Sequence, residues 1–366
     1  MTILFAAGDI GGARALLPVM QACTDKRLAF LLLAHGHLPQ EAPEVWPRVP
    51  ASCTKTHATM RDFFKAHDID WLVFASSVHD SLPLKIARAA KTFGLQVMHV
   101  LDNWSGYRRR LEMDGYSALM PDVYTVMDTY AWQAASQDGV APSILALTGQ
   151  PALATLADQV RTWTTDTLEK KRRQLGVGSQ TILLVFVSEP VAQDQGVSPA
   201  NPAYRGYTEA DVLQLFCRAL QPFAERVEIA LLPHPRQRRE DLAGLWHHCR
   251  GTLRGELLAD LSSREVVWLA DGVVGMASIL LYEAWLLGKP VLSLQPGLRQ
   301  DTLRMLQTRQ GVVFVESYAG AEKAIGSWMT ALEPKRPWMP RSDLALHRTA
   351  PETIRRLLTE GKRTTV

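Results

Sequence analysis

A serine and a glutamate stand five residues apart in an apolar stretch near the C-terminal end of the chain, residues 270–295. The stretch reads as strand, glycine-bearing turn, helix and strand, with Ser278 at the start of the helix and Glu283 inside it. The first turn of a helix has unpaired N–H groups and the positive end of the helix dipole, so it can bind a phosphate. Glu283 lies about 7 Å further along the axis, within reach of a ribose attached to that phosphate. The pattern predicts a nucleotide site whose phosphate contacts come from Gly275, Met276, Ala277 and Ser278.

Both residues also have an interpretation that needs no ligand. Ser278 can be a simple N-cap, and Glu283 can be neutralised by a core arginine, a lysine or a backbone amide. Since a buried carboxylate without any partner is costly, some partner must exist on either interpretation. We favour a ligand contact for Glu283.

A histidine between two prolines marks a second candidate phosphate contact. His234 follows the predicted strand Glu228–Leu232, and Pro233 and Pro235 hold its backbone stiff and extended. Polar and basic residues come next, which favours a site over a buried core histidine. A further predicted strand, 181–187, ends at a serine and a glutamate. The predicted nucleotide contacts in this half of the chain therefore include Ser188, Glu189, His234 and Pro235.

An acid, two aromatic residues and three arginines follow the predicted strand 96–101. In open α/β sheets ligands bind beyond the carboxyl ends of the strands, so this cluster is placed to form a site. A sugar hydroxyl that attacks must lose a proton, so a carboxylate is needed; Asp102 is the first choice for this base and Asp9 the second. A solvated charged face is the alternative for the arginines. The predicted sugar or acceptor contacts are Gly11, Gly12, Arg14, Ser77, His79, Asn103, Trp104, Tyr107 and Arg108.

Composition limits the class of protein. The chain has 366 residues, 47% of them hydrophobic and 21% charged, which suits a globular protein of two domains. The formal charge of +3 and the lack of a basic stripe argue against nucleic acid. The four cysteines are scattered without a CxxC pair, so neither a disulfide framework nor a zinc site is indicated. Met1–Phe5 leads directly into an apolar strand, and no apolar run approaches the roughly 20 residues of a membrane helix, so we expect a cytoplasmic protein.

Strands alternate with helices on both sides of Thr148, which predicts two doubly wound, Rossmann-like α/β domains facing a central cleft. The predicted divisions are an acceptor-side domain at 1–150, a nucleotide-binding domain at 151–340 and a helical tail at 341–366. A charged helix over 153–175 leads into the second domain, and Val266–Leu269 is predicted to be a strand. The polar connection 192–206 is long for a compact domain, which indicates a functional or mobile loop.

One acidic pattern is set aside. Asp68-Ile69-Asp70 matches the DxD pattern of metal-dependent sugar transferases, but it precedes a predicted strand, whereas a metal-binding pair would follow one. We interpret it as a turn and expect no metal.

The residues resemble a known superfamily. The two-domain plan, the Thr148-Gly149-Gln150-Pro151 junction and the run 284–291 look like GT-B nucleotide-sugar glycosyltransferases and the related UDP-N-acetylglucosamine 2-epimerases. Pro233-His234-Pro235 is similar to the His-Pro motif of bacterial sialyltransferases and of Kdo and glycerol-phosphate transferases. That resemblance implies a CMP-activated donor, donor-phosphate contacts from His234 and Ser278, and a base from the N-terminal domain. The chain has Asp102-Asn103-Trp104 where the sialyltransferase motif has two acids and a glycine.

The resemblance implies a metal-independent inverting glycosyltransferase. It would move a CMP-activated nonulosonic acid or Kdo to a glycan, lipid-linked or protein acceptor, with a UDP-sugar as the other donor class. The alternatives are a UDP-sugar 2-epimerase or nucleotide-sugar hydrolase, and a non-catalytic nucleotide-sugar-binding protein. A homodimer and a peripheral association with the inner membrane remain open.

Overall fold

The computed structural model describes residues 1–77, 80–258, 261–334 and 339–360. The chain divides into two compact units. Unit 1 comprises Met1–Gln159 together with the C-terminal segment from Asp343, and unit 2 comprises Val160–Ser342. Each unit contains its own parallel sheet and its own hydrophobic core.

Unit 1 is built on a sheet of seven parallel strands in the order β3-β2-β1-β4-β5-β6-β7. Its strands are β1 (Thr2–Ala7), β2 (Ala29–Ala34), β3 (Arg48–Pro50), β4 (Ile69–Ala75), β5 (Gln96–Val100), β6 (Val123–Val126) and β7 (Leu145–Leu147). Its helices are α1 (Ile10–Asp25), α2 (Leu38–Glu41), α3 (His57–Ala66), α4 (Leu82–Thr92) and α5 (Thr129–Gln137), and α6 (Ala154–Thr162) spans the boundary between the units.

Unit 2 is built on a sheet of six parallel strands in the order β10-β9-β8-β11-β12-β13. Its strands are β8 (Ile182–Val187), β9 (Val227–Leu232), β10 (Arg254–Leu257), β11 (Gly272–Gly275), β12 (Val291–Leu294) and β13 (Val312–Val315). Its helices are α7 (Thr165–Gln174), α8 (Val191–Gln195), α9 (Glu209–Leu220), α10 (Arg239–Cys249), α11 (Ser263–Leu269), α12 (Ile279–Leu286) and α13 (Ala321–Thr330).

The last helix, α14 (Leu344–Glu360), belongs to unit 1. Its buried residues Ile354 and Leu358 join the core around α1 and the sheet of that unit. A hydrogen bond also joins α14 to Gln150: the backbone N–H of Gln150 donates to Nδ1 of the buried His347 at 2.9 Å. The chain therefore closes unit 1 with residues from both of its ends.

The strands at the middle of both sheets are continuous apolar runs, as expected where helices cover both faces. All six residues of β8, Ile-Leu-Leu-Val-Phe-Val, are buried. The order of strands reverses between β1 and β4 in unit 1 and between β8 and β11 in unit 2. In doubly wound sheets ligands bind at such switch points, outside the carboxyl ends of the strands. The two doubly wound parallel sheets confirm the predicted fold class.

Three predicted elements differ from the structure. Val266–Leu269 is the end of helix α11 and not a strand. Ser262 and Glu265 form a capping box at the start of this helix, whereas the short apolar run by itself fits a strand equally well. The predicted single helix over 153–175 is two helices, α6 and α7, because Thr164 caps a new helix by accepting from the N–H of Thr167. Part of the predicted loop 192–206 is helical, in α8.

Candidate functional site

The N-terminus of α12 lies at the switch point of unit 2. Ser278 is its N-cap, and Oγ of Ser278 accepts from the N–H of Leu280 at 3.2 Å. The N–H of Ala277 donates at 2.6 Å to Oε1 of Glu189, the second residue after β8. The backbone N–H one residue before this N-cap therefore already binds an anion, a carboxylate of the protein itself.

Glu189 is also ion-paired. Its Oε2 accepts from Nη1 of Arg205 at 2.8 Å, and the two side chains are 11% and 13% exposed. Burial lowers the pKa of Arg205, but Glu189 and Tyr207 together outweigh burial and raise that pKa above its ordinary value. Arg205 comes from the long connection 192–206, and it also contacts the side chain of Gln195. The carboxylate thus lies between a helix terminus and a guanidinium.

His234 follows β9 and is half-buried. Its Nδ1 accepts from the N–H of Arg236 at 3.2 Å, so the neutral ring carries its proton on Nε2. Burial, together with the guanidinium of Arg236, lowers the pKa of His234. Arg236 itself is held by Asp194 through two contacts of 2.7 and 2.6 Å. At neutral pH His234 can therefore offer one N–H donor to a ligand.

Glu283 is buried inside α12 and is paired with an arginine. Its Oε2 accepts from Nε of Arg264 at 2.8 Å, and its Oε1 accepts from Nη2 at 3.2 Å. Arg264 belongs to α11, the helix whose last four residues, Val266–Leu269, were predicted to be a strand. A core arginine was the alternative to a ribose contact, and the two are compatible because each carboxylate oxygen has more than one acceptor direction. The ribose contact stays a prediction.

The other predicted nucleotide contacts differ in burial and in the element that carries them. Gly275 is the last residue of β11 and not part of the turn; a Cβ there would lie 2.8 Å from the backbone oxygen of Val187, so the glycine serves close packing. Met276 is buried, and its backbone oxygen accepts from Oγ of Ser293 at 2.6 Å. Ser188 is also buried, and Pro235 is exposed. Ala277 and Ser278 are therefore the members of the predicted cradle that form the helix terminus.

Asp102 lies just beyond β5 in unit 1 and is paired with Arg110. Oδ1 of Asp102 accepts from Nη1 of Arg110 at 2.6 Å, and the same guanidinium group donates to the backbone oxygens of Ser76 and Ser105. Burial raises the pKa of the Asp102 carboxyl more than the Arg110 guanidinium lowers it, and the charge of Asp9 raises it further. Asp102 is therefore a carboxyl group that can hold or release a proton nearer neutral pH than an exposed one.

The loop after β1 lies beside Asp102. A Cβ at Gly11 would lie 2.4 Å from Oδ2 of Asp102, so only glycine leaves room for the carboxylate there. Asp9 is the N-cap of α1, where its Oδ1 accepts from the N–H of Gly12 at 2.8 Å. Asp9 thus has a structural role, and its use as the alternative base stays a prediction.

The aromatic residues predicted to line the site are in the core of unit 1. Trp104 is 2% exposed, and its Nε1 donates to Oδ2 of Asp128 at 2.7 Å. Tyr107 is 5% exposed, and its backbone oxygen accepts from the hydroxyl of Tyr124. The expectation that they contact a sugar is not supported by this burial; they fix the loop after β5, and hence Asp102.

The remaining predicted sugar contacts are dispersed. Gly12 is buried beneath the β1 to α1 loop, and Ser77 is half-buried. Arg14 is exposed, and Arg108 is exposed and pairs with Glu112 at 3.0 Å. Oδ1 of Asn103 accepts from the N–H of the next residue at 2.7 Å. His79 lies outside the described residues.

Sequence reasoning missed the arginine partners. It treated Arg110 as one of three alike and did not single out Arg205 or Arg264. The unusually long connection that carries Arg205 was a signal that could have found it. The pairing of His35 with Asp80 was also missed, since it joins residues that are 45 positions apart.

Two findings on metals and membranes concern the part of the chain that the structure describes. No group of three or more His, Cys, Asp or Glu side chains there could hold a metal ion. None of the helices described there is both long and apolar enough to span a bilayer.

Solved structures with the same fold bind or act on UDP-sugars. UDP-GlcNAc 2-epimerase from Methanocaldococcus jannaschii has a TM-score of 0.67 and 12% identity over 99% of this chain and 100% of that chain. The enzyme from Neisseria meningitidis, bound to UDP-GlcNAc, has a TM-score of 0.64 and 12% identity over 98% of this chain and 100% of that chain. HepE from Anabaena, in complex with UDP-glucose, has a TM-score of 0.59 and 16% identity over 99% of this chain and 97% of that chain. These low identities make the likeness one of fold.

No protein-family model matches the sequence, and no curated protein matches it either.

Proposed function

We propose that the chain is a UDP-sugar enzyme that inverts the configuration at C2 of the sugar. The observation that carries this proposal is the carboxylate bound just before the N-cap of α12, where the N–H of Ala277 donates to Glu189 at the switch point of unit 2. Folds of the same plan hold UDP-GlcNAc and UDP-glucose, which favours uridine over the cytidine donor expected from the His-Pro motif.

The diphosphate of UDP would take the position of the Glu189 carboxylate. Both are anions, and the same N–H of Ala277 and the same guanidinium of Arg205 would serve as donors. His234 would add the N–H on its Nε2, since its Nδ1 is already occupied. Binding therefore requires Glu189 to leave the helix terminus.

The chemistry at C2 needs two proton-transfer groups, because inversion removes a proton from one face and returns it to the other. A C2–H bond next to a C1–O bond can break by elimination, with UDP as the leaving group. Asp102 stays the predicted group for one of the two roles, and burial raises the pKa of its carboxyl above the ordinary value. Donors aimed at the departing phosphate stabilise the charge that develops there.

Glycosyl transfer is the second candidate. The position of Pro233-His234-Pro235 favours it. This stretch follows the carboxyl end of β9, and the similar transferase motif contacts the donor phosphate. Transfer needs one base and an acceptor hydroxyl, whereas epimerisation needs no acceptor.

The test is incubation of the full chain with UDP-GlcNAc in deuterated buffer without acceptor, followed by proton NMR. We expect the C2 epimer to appear and deuterium to enter C2. Free sugar and UDP in place of the epimer would indicate a hydrolase and would refute epimerisation. Unchanged UDP-GlcNAc would also refute it, and a thermal-shift response to UDP but not CMP would then keep the nucleotide assignment and direct attention to transfer.

A further inference from the structure

A second ion pair, between Arg236 and Asp194, lies at the carboxyl edge of the sheet of unit 2. Arg236 belongs to the loop after β9, and Asp194 belongs to α8, the helix after β8. Nη1 of Arg236 donates to Oδ1 of Asp194 at 2.7 Å, and Nη2 donates to Oδ2 at 2.6 Å. A guanidinium binds phosphates with the same two-pronged geometry. The side chain of Arg236 is 58% exposed, and so exposed a pair contributes little to stability, so an anion from solution can replace Asp194 at small cost.

One short segment, residues 189–194, supplies the carboxylates for two guanidinium groups of this edge. Glu189, near its start, accepts from Arg205 at 2.8 Å. Asp194, at its end, accepts from Arg236. Each carboxylate therefore neutralises one cation that a bound anion could also neutralise.

The charges of this segment act on a single ring, that of His234. Burial and Arg236 lower the pKa of His234, whereas the carboxylates of Glu189 and Asp194 raise it. Since the interaction between charges falls off with distance, all three charged groups lie near the ring. The two ion pairs therefore belong to one site, around the histidine whose Nε2–H is available to a ligand.

The backbone of the segment is fixed, so its acidic side chains are the parts that can exchange. Val191 is 1% exposed and belongs to the hydrophobic core of unit 2. The N–H of Ala192 donates to Oε2 of Glu209 at 2.8 Å, which ties α8 to the start of α9. A change of rotamer at Glu189 or Asp194 therefore releases a carboxylate without unfolding the segment.

A buried hydroxyl at the same strand ends favours a ligand. The N–H of Ser188 donates to the backbone oxygen of Leu232 at 2.9 Å, which places Ser188 at the carboxyl ends of β8 and β9. Its side chain is buried, and its Oγ has no hydrogen-bond partner among the residues that the structure describes. Buried polar groups of proteins are nearly always hydrogen-bonded, so this hydroxyl is suited to contact a ligand oxygen.

A nucleoside diphosphate sugar matches the two acids in charge. The two phosphates of a UDP-sugar carry one negative charge each, as do Glu189 and Asp194. Exchange of two carboxylates for two phosphates leaves both guanidinium groups neutralised. The single phosphate of a CMP-sugar could replace only one of the two carboxylates.

We propose, resting on the UDP-sugar function proposed above, that Arg236 is a specificity-determining residue that contacts the second phosphate of a nucleoside diphosphate. Asp194 occupies Arg236 until the ligand binds, and Glu189 occupies the N–H of Ala277 in the same way. The exchange replaces one set of hydrogen bonds by another, and no covalent bond changes. A ligand with two phosphates displaces both carboxylates, and a ligand with one displaces Glu189 alone.

Calorimetric titration of the full chain with UDP and with UMP tests the two side chains separately. We expect Arg236→Gln to weaken UDP binding by about tenfold or more, since it removes hydrogen bonds between charged groups, and to change UMP binding less than about twofold. Asp194→Asn should act in the opposite direction and tighten UDP binding by about three- to tenfold, because the competing carboxylate is gone. Arg238→Gln and Asp241→Asn are the matched controls, since these exposed neighbours pair with each other and should leave both affinities unchanged.

Melting temperatures of all variants are measured alongside. Weaker UDP binding in both Arg236→Gln and Asp194→Asn would overturn the inference, because a structural ion pair predicts losses of the same sign. Equal losses for UDP and UMP in Arg236→Gln would also overturn it, and so would unchanged affinities in both variants. A wild-type chain that binds UDP but does not epimerise UDP-GlcNAc would refute the proposed function and leave this inference intact. A wild-type chain that binds neither nucleotide would overturn the UDP site and this inference together.

Discussion

Asp102 with Arg110 and Asp271 with Arg172 are the same chemical pair at opposite edges of their sheets. Asp271 immediately precedes β11 in unit 2, and Arg172 donates to it at 2.9 Å and also to the backbone oxygens of Leu269 and Thr181. These side chains are 4% and 1% exposed, so the pair is enclosed at the amino edge. Asp102 is the second residue after β5 and therefore lies at the carboxyl edge of its sheet, where it packs against Gly11 of the β1 to α1 loop.

The difference teaches that the edge of the sheet, and not the chemistry of the pair, separates a structural pair from a candidate site. Asp271 has its oxygen shared between Arg172 and the N–H of Leu183, which ties α7 to two strands. Arg110 ties the loops after β4 and β5 together and leaves the second oxygen of Asp102 facing the β1 to α1 loop. Substitutions can test whether each buried pair is structural, like Asp271 with Arg172, or part of a site, like Asp102 with Arg110.

The largest expected effect is on turnover. Asp102→Asn should lower kcat for UDP-GlcNAc by about 10² to 10⁴, since the amide cannot transfer a proton, while UDP affinity stays within about twofold. Steady-state kinetics and calorimetric titration with UDP measure the two quantities. Asp62→Asn, at an exposed position on α3, is the control. Unchanged turnover in Asp102→Asn would remove Asp102 from the chemistry.

Arg172→Met should act on stability instead. Removing the guanidinium leaves the Asp271 carboxylate buried without its cation, which costs about 3 to 5 kcal/mol of unfolding free energy. Denaturant unfolding of the variant measures this cost. Arg173→Met, at the neighbouring exposed position, should change stability by less than about 0.5 kcal/mol. A loss under about 1 kcal/mol in Arg172→Met would show that the enclosed pair is not what holds this edge together.

Glu283 with Arg264 is a third pair. Its burial alone does not distinguish a structural pair from one that also binds a ligand. If Glu283 also holds ribose, Glu283→Gln should weaken UDP binding by about tenfold, since it removes a hydrogen bond to a charged acceptor. The same substitution should then leave the affinity for 2′,3′-dideoxy-UDP unchanged. Equal losses for UDP and the dideoxy nucleotide would place Glu283 with the structural pairs.

Glu189 with Arg205 is the fourth pair. Glu189→Gln should tighten UDP binding by about three- to tenfold, because the carboxylate that competes for the N–H of Ala277 and repels phosphate is gone. Glu209→Gln, at a nearby carboxylate that accepts from the N–H of Ala192, is the control. Weaker binding in Glu189→Gln would instead mean that Glu189 itself contacts the nucleotide, as the sequence had suggested.

The last effect concerns pH and the enclosed edge. Burial lowers the pKa of Lys289 from 10.5 to about 7. Between these values the unfolded chain binds more protons than the folded one, so stability should rise with pH from 7 to 9, by about 1 to 2 kcal/mol. Melting curves should show this rise in the wild type and less of it in Lys289→Met, with exposed Lys323→Met as the control. Parallel pH profiles in all three chains would contradict the shift.

The alternation of apolar runs and turn residues was enough to predict two doubly wound sheets, because buried parallel strands must be apolar along their whole length. The same local rule placed Ser278 at the start of α12 and Asp102 beyond β5, since strand ends and helix caps are local in sequence. It failed at Val266–Leu269, where four apolar residues are too few to show a period. It also predicted sugar contacts for Trp104 and Tyr107, and both side chains are buried.

The sequence by itself determined the two sheets, the position of most strand ends and therefore the candidate acids and the helix terminus. Only the tertiary structure decided which charges meet: Arg110 with Asp102, Arg205 with Glu189, and His35 with Asp80. The physical reason is that helix and strand signals arise from neighbours in the chain, whereas an ion pair depends on loops that the sheet brings together from distant positions. Glu189 shows this most directly, because its contact with Ala277 joins residues that are 88 positions apart.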